Sequence, residues 1–223
     1  MSRSRRVQSC RVFSVTRSLL VGIVVVLFQP ISAIACELNH AEITEDKGIF
    51  RFQFTTIIDA PAEYVRQVLT DFTHIYRLSS SIIESEVLPS RQSDETKIRT
   101  KVLACVSVFC REVERVDIVR ILASGELQAD IVPELSEFRS GRAIWTITAL
   151  ENRSKLAYEA TLEPDFFIPP VIGISVIINS MKNEFVTTLD RIERIAYINA
   201  KRDGEDDLAI AHLNASETTP PCE

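Results

Sequence analysis

At 223 residues, 46% hydrophobic and 25% charged, the chain has room for one good-sized domain plus appendages. Five arginines and no acids lie in the first 35 residues, which leaves 20 basic against 31 acidic side chains beyond them, a net charge of −11. That balance excludes a nucleic-acid partner, because phosphate backbones demand clustered positive charge and the dense basic cluster here is confined to the N-terminus.

Arg3, Arg5, Arg6, Arg11 and Arg17 precede an uncharged apolar run from Leu19 to Phe28, followed by Pro30 and the small-residue site Ala33-Ile34-Ala35. This order predicts a secretory signal over residues 1–35, cleaved before Cys36. A bilayer span is the competing reading, but the run falls short of the ~20 apolar residues a span needs and Pro30 interrupts its end. Four cysteines follow the cleavage point, Cys36, Cys105, Cys110 and Cys222, and in an oxidising compartment they allow three pairings. Cys105 and Cys110 are separated by Val106 to Phe109, a spacing that suits two strands meeting across a hairpin end. Cys36 has two fates open to it, a bond to Cys222 or lipidation at a loose lipobox, and the second would hold the protein at a membrane. An uncleaved N-terminal segment would do the same.

Residues 36–47 are read as an N-terminal segment, 48–199 as the folded domain and 200–223 as an acidic tail. From Ile49 to Ile58, Phe50, Phe52 and Phe54 alternate with Arg51, Gln53 and Thr55, the pattern of a half-buried strand with an aromatic inner face. Asp59-Ala60-Pro61 then opens a helix, with Asp59 placed to cap it and Pro61 in its first turn, and this helix runs to about Leu69. A second short helical piece follows, from Phe72 to Ser80. Turn signals at Pro89-Ser90, Ser124-Gly125, Pro133, Ser140-Gly141 and Glu151-Asn152 divide Ile82 to Leu162 into an antiparallel meander. In its last hairpin Ala143, Trp145, Ile147 and Ala149 share one face, as do Leu156, Tyr158, Ala160 and Leu162. Arg111 to Ile121 fits two patterns, since Val113, Val116 and Val119 suit a helix as well as a bulged strand, and its place in the meander favours the strand. After Phe166-Phe167-Ile168-Pro169-Pro170, an apolar stripe of Ile174, Ile178, Met181, Phe185, Leu189, Ile192 and Ala196 predicts a helix of about seven turns, with Glu184 and Glu193 off the stripe.

A strand, two short helices, six strands and one long helix resemble the START-like helix-grip (SRPBCC) arrangement. Ile57-Ile58-Asp59-Ala60-Pro61-Ala62-Glu63-Tyr64-Val65, followed by Leu69-Thr70-Asp71-Phe72, is similar to the opening of its polyketide cyclase/dehydrase and coenzyme-Q-binding branch. Trp145 stands where that branch has a strand Trp, and Glu163-Pro164 with the Phe-rich turn resembles its entry to the last helix. The cysteine pair resembles an exported subgroup of the branch. The resemblance covers roughly residues 48–197 and implies an α+β fold in which a seven-stranded curved antiparallel sheet wraps the long C-terminal helix.

It further implies a cavity between sheet and helix for a lipid, an isoprenoid quinone or another hydrophobic small molecule, with no cofactor. The apolar residues supply a matching lining: Phe52, Phe54 and Trp145 on the sheet, Ile174, Ile178 and Met181 on the helix. The same residues would serve equally as a filled core. Phe166 and Phe167, paired in a Pro-flanked loop, are placed as a flap over the mouth. The alternative is a cyclase- or dehydratase-type enzyme working in the same pocket, for which His74 beside Asp71 is the candidate acid/base pair. A third reading, a protein-interaction module, follows from a ribosome-associated group among cytoplasmic relatives. No Cys or His pair stands at metal-ligand spacing, so no metal is expected. The oligomeric state is left open.

Overall fold

A computed structural model describes residues 37–90, 93–106, 109–168 and 172–217. Cys36, Cys222 and the whole predicted signal lie outside that range. The chain forms one eight-stranded antiparallel sheet: β1 (Glu37–Asp46), β2 (Ile49–Ile58), β3 (Ile82–Leu88), β4 (Glu95–Val106), β5 (Phe109–Ile121), β6 (Leu127–Ile131), β7 (Phe138–Leu150) and β8 (Arg153–Pro164). Among the described residues two helices accompany it, α1 (Ala62–Thr70) and α2 (Ile174–Glu217), with short 3-10 segments at Phe72–Arg77 and Pro133–Leu135.

The strand order β1-β2-β8-β7-β6-β5-β4-β3 explains the grip. After β2 the chain crosses to the far edge through α1 and the Phe72–Arg77 segment, then meanders back until β8 pairs with β2. The long terminal helix is thereby delivered to the concave face, where Ile177, Leu189, Ile192 and Ala196 bury themselves against the inner side chains of β2 and β8.

The sheet has eight strands where the sequence suggested seven. The extra one is β1, which pairs with β2 through a tight turn at Lys47 and Gly48, both at positive φ (53° and 84°), as a two-residue hairpin turn of this hand requires. β1 escapes sequence reading because it is an edge strand. It needs one ladder and little core contact, and among its residues whose side chains are described Ile43 is the one buried apolar side chain.

At β5 the structure resolves the two-way pattern. The segment is a strand in unbroken register with β4, with Val113 and Val119 on the concave face. Val116 points the other way and is buried beneath the Pro133–Leu135 segment, tied there by Val116 N–H donating to Ser136 Oγ (2.9 Å) and Val132 N–H donating to Val116 O (2.8 Å). The apparent period of three arose because both faces of this strand are covered.

Two local expectations change. Pro61, not Asp59, occupies the α1 cap, and no side chain caps that helix; Asp59 instead donates its N–H to Glu193 Oε1 on α2 (2.9 Å), which is why Glu193 is buried although charged. Ser154 Oγ donates to Ala60 O (3.0 Å), so β8 and α2 both hold the turn into α1. And α2 does not stop near Lys201 to leave a tail: it continues to Glu217. Gly204 is the weakest helix former in that stretch, followed by Leu208, Ala209, Ile210 and Ala211, while the residues that would end a helix, Pro220 and Pro221, come later.

Candidate functional site: a cavity between sheet and helix

Side-chain size across the sheet decides where the interior is empty. Val119, Ala129, Ala143 and Ala160 lie in register across β5, β6, β7 and β8, so a band of small side chains crosses the concave floor. One register step away, Trp145 pairs with both Leu127 and Tyr158, and Phe54 with Tyr158, a band of large ones. On the other side Gly141 makes room for its neighbours, since a Cβ there would collide with the Ile131 side chain and meet Leu162 at 2.9 Å. Above the small band, under α2 and the Phe72–Arg77 segment, lies a cavity of about 820 Å³, well within the range of small-molecule sites.

The helix side of this cavity includes Ile177, Met181, Glu184, Phe185, Thr188 and Ile192. Phe185 is the hub of an aromatic group at the border between cavity and core. It stacks on Phe54 (centroids 4.0 Å apart), meets Tyr158 at 4.6 Å and Trp145 at 5.8 Å, and such ring contacts add to plain burial.

The sequence candidates divide accordingly. Phe52, Trp145, Phe166, Phe167 and Met181 line the cavity. Phe54, Ile174 and Ile178 are not part of its wall. Phe54 is fully buried under Phe185; Ile174 begins the helix 41% exposed; Ile178 lies one residue, or 100° of helix rotation, from Ile177, which takes the inward position. In the loop, Phe166 packs edge-on to Phe138 (5.9 Å) with the Arg111 guanidinium over its ring (4.9 Å), and Arg111 is itself paired with Glu137. Phe167 is 76% exposed and Phe109, at the tip of the β4–β5 hairpin, is 48% exposed, so the two mark the rim. Cys105 and Cys110 face each other in register at that tip and are joined (S–S 2.11 Å), with both residues in the cavity wall.

His74 and Asp71 are brought together, yet away from the cavity. His74 Nδ1 lies 2.7 Å from Asp71 Oδ1, and Asp71 Oδ2 takes a bond from Arg77 Nη2 (3.1 Å). The trio borders a separate hollow of about 300 Å³ together with Ile195 and Asn199. Neither His74 nor Asp71 lines the main cavity.

Polar groups that the sequence reading left unassigned do line it. β5 turns Arg115 and Asp117 inward, two residues apart on the face of Val113 and Val119, and Arg115 Nε donates to both Asp117 oxygens (3.0 and 2.8 Å). Tyr158 is buried in the same wall. Burial pushes its phenol up to about 12, with Arg115 drawing it down and Asp117 raising it. Glu184 receives Ser79 Oγ (2.6 Å), Ser80 Oγ (3.1 Å) and Ser81 N–H (3.2 Å), which fastens the approach to β3 onto α2. Burial pushes the Glu184 carboxyl upward, but those bonds outweigh it and hold the group below the usual carboxylate range. A phase argument finds all of these: Arg115 and Asp117 share the parity of Val113 and Val119, and Glu184 stands three residues after Met181.

Comparison with solved structures defines the class. A protein of Thermus thermophilus superposes with TM-score 0.57 at 15% identity over 67% of this chain and 99% of its own. A Streptomyces aromatase/cyclase gives 0.55 at 14% identity over 67% and 94%. A START superfamily protein of Mycobacterium smegmatis gives 0.52 at 15% identity over 65% and 98%. No protein-family profile matches the sequence, and no curated protein does. The chain therefore has the START-type helix-grip fold, here with eight strands and an apolar cavity under its terminal helix.

Proposed function

We propose that the protein binds, and by binding carries, a hydrophobic small molecule between the sheet and α2. One observation supports this above the rest: the floor of the grip is set with small side chains at Ala129 and Ala143 while its rim carries Phe109, Phe166 and Phe167, leaving about 820 Å³ of largely apolar space. A packed core has few voids larger than a water molecule, so space on this scale belongs to a ligand. Each 100 Å² of apolar ligand surface taken from water would contribute about 2.5 kcal/mol. Native mass spectrometry of the purified protein, followed by organic extraction, is expected to show a bound apolar molecule. A cavity that is consistently empty, and that takes up no lipid or quinone when these are offered, would sink the reading.

A cyclase-type reaction in the same cavity is the second reading, and the polar set Arg115, Asp117 and Tyr158 is what favours it. It would run on those residues rather than on His74 and Asp71. Turnover of a polyketide-like substrate lost in Tyr158→Phe, with folding kept, would establish it.

We also propose that the protein works outside the cytoplasm. The basic-then-apolar N-terminus supports this, as does the disulfide at the cavity rim, since such bonds persist in oxidising compartments. An intact mass beginning at Cys36, with or without acyl chains, is the expected result.

A further inference from the structure

We propose that the Cys105–Cys110 bond is a reversible thiol–disulfide switch on the cavity mouth, which holds the mouth closed when oxidised and loosens it when a dithiol reduces the bond. This rests on the binding reading above and adds control over when the ligand exchanges.

The bond lies where a reductant can reach it and where the sheet does not depend on it. Cys105 and Cys110 are both exposed, and exposed disulfides are the ones that exchange most readily with thiols in solution. They stand opposite each other in the β4–β5 ladder, which continues past them to the pair Val106 and Phe109 and back along both strands to Glu95 and Arg120. That ladder keeps the strands paired with or without the bond, so reduction leaves the fold standing. Yet both cysteines belong to the cavity wall, and the tip they fasten carries Phe109 on the rim.

The residue after Cys110 joins this tip to the other rim element. Arg111 lays its guanidinium over the Phe166 ring (4.9 Å) and pairs with Glu137, whose other carboxylate oxygen accepts from Glu114 N–H (2.9 Å). Glu137 O in turn accepts from Asp165 N–H (3.0 Å), one residue before Phe166. Hairpin and loop therefore share one frame, and Phe109 and Phe166 are held together at the opening. The end of a ladder is where pairs fray at least cost. With the bond intact that fraying stops at Cys105 and Cys110; with it reduced, Phe109 is free to leave the rim.

The chemistry balances with a dithiol as the sole reagent. One of its thiolates attacks a sulfur of the bond, forming a mixed disulfide and expelling the other cysteine as thiolate. The second thiol of the reagent then attacks the mixed disulfide, closing the reagent into its own disulfide and releasing the remaining cysteine. Two electrons and two protons pass to Cys105 and Cys110. In an oxidising compartment the bonded state is the resting one.

The test follows release of the neutral fluorophore phenylnaphthylamine from the loaded protein after rapid dilution, with and without prior dithiothreitol. Alkylation and intact mass count the thiols, and far-UV circular dichroism follows the fold. Reduction of the folded protein is expected to speed release by about tenfold or more, as the mouth loses a covalent tie, and reoxidation with diamide should restore the slow rate. The protein with Cys105→Ser and Cys110→Ser should release quickly whether or not dithiothreitol is present, which separates this bond from any other disulfide in the chain. A bond that dithiothreitol reduces only after the protein unfolds, a fold lost on reduction, or a release rate unchanged by reduction or by the serine pair would overturn the switch and leave the cavity reading intact. Failure of the oxidised wild-type protein to take up the fluorophore or any lipid or quinone would overturn both.

Discussion

The two ends of the concave face use the same strands and the same helix, and they differ in what fills them. Toward α1 the interior is solid: Phe54, Ile58, Val65, Leu156 and Leu189 are all buried to within 2% of full coverage. Toward the β4–β5 hairpin it is open, floored by Ala129 and Ala143 and bordered by Arg115 and Asp117. The lesson is that alternation places side chains on the inner face, but residue volume along one register line decides whether that face closes on itself or on something else. The solid end should carry stability and the open end selectivity.

Substitutions can break that division, and the largest effect is expected at the solid end. Leu189→Ala removes a fully buried side chain of α2 and should cost about 2–5 kcal/mol in urea unfolding, with ligand selectivity unchanged in the fraction that folds. A smaller loss would mean that the core beside α1 is loosely packed. Next comes the rim. Replacing Cys105 and Cys110 together by serine opens a short loop and should cost about 2 kcal/mol, an upper figure because the hairpin is already held by its ladder. Ligand exchange should quicken, since the bond fixes the tip that carries Phe109.

Glu184 lies between the two ends. Glu184→Ala leaves Ser79, Ser80 and Ser81 without their acceptor and should cost about 1 kcal/mol. The pH dependence has a definite sign. Because the folded carboxyl titrates below its ordinary value, its contribution is complete above the unfolded carboxylate range and is lost as pH falls through the lower, folded one. Wild-type stability should therefore decline with acid more steeply than that of Glu184→Gln, as followed by thermal unfolding across the acid range. The smallest stability change is expected at the open end. Ala129→Leu grows into empty space, so its thermal midpoint should move little, whereas affinity for any cavity ligand should fall about tenfold or more. A large destabilisation there would show that the floor is already packed.

The alternation of Phe50, Phe52 and Phe54, the paired faces of the last hairpin, the Cys105–Cys110 bond and the order of elements up to the terminal helix were all legible in the chain, because each depends on local period or short spacing. β1 was not, since an edge strand needs little apolar content to hold one ladder. The helix stripe was legible from Met181 through Phe185, Leu189 and Ile192 to Ala196, all of which face the cavity or the core; in the first turns Ile177 rather than Ile174 or Ile178 lines the cavity, because which side of a helix meets a sheet is set by where the sheet stands.

Sequence by itself determined the order of elements, the aromatic inner wall and the disulfide spacing, which follow from periodicity and from residues only a few positions apart, while the fold class came from the family resemblance that this order carries. Only the tertiary structure decided that the interior is hollow and that Arg115, Asp117, Tyr158 and Glu184 face it. Those facts depend on the alignment of small side chains from strands far apart in sequence, and on β5 burying both of its faces, so that a charged pair and the valines around it share one wall.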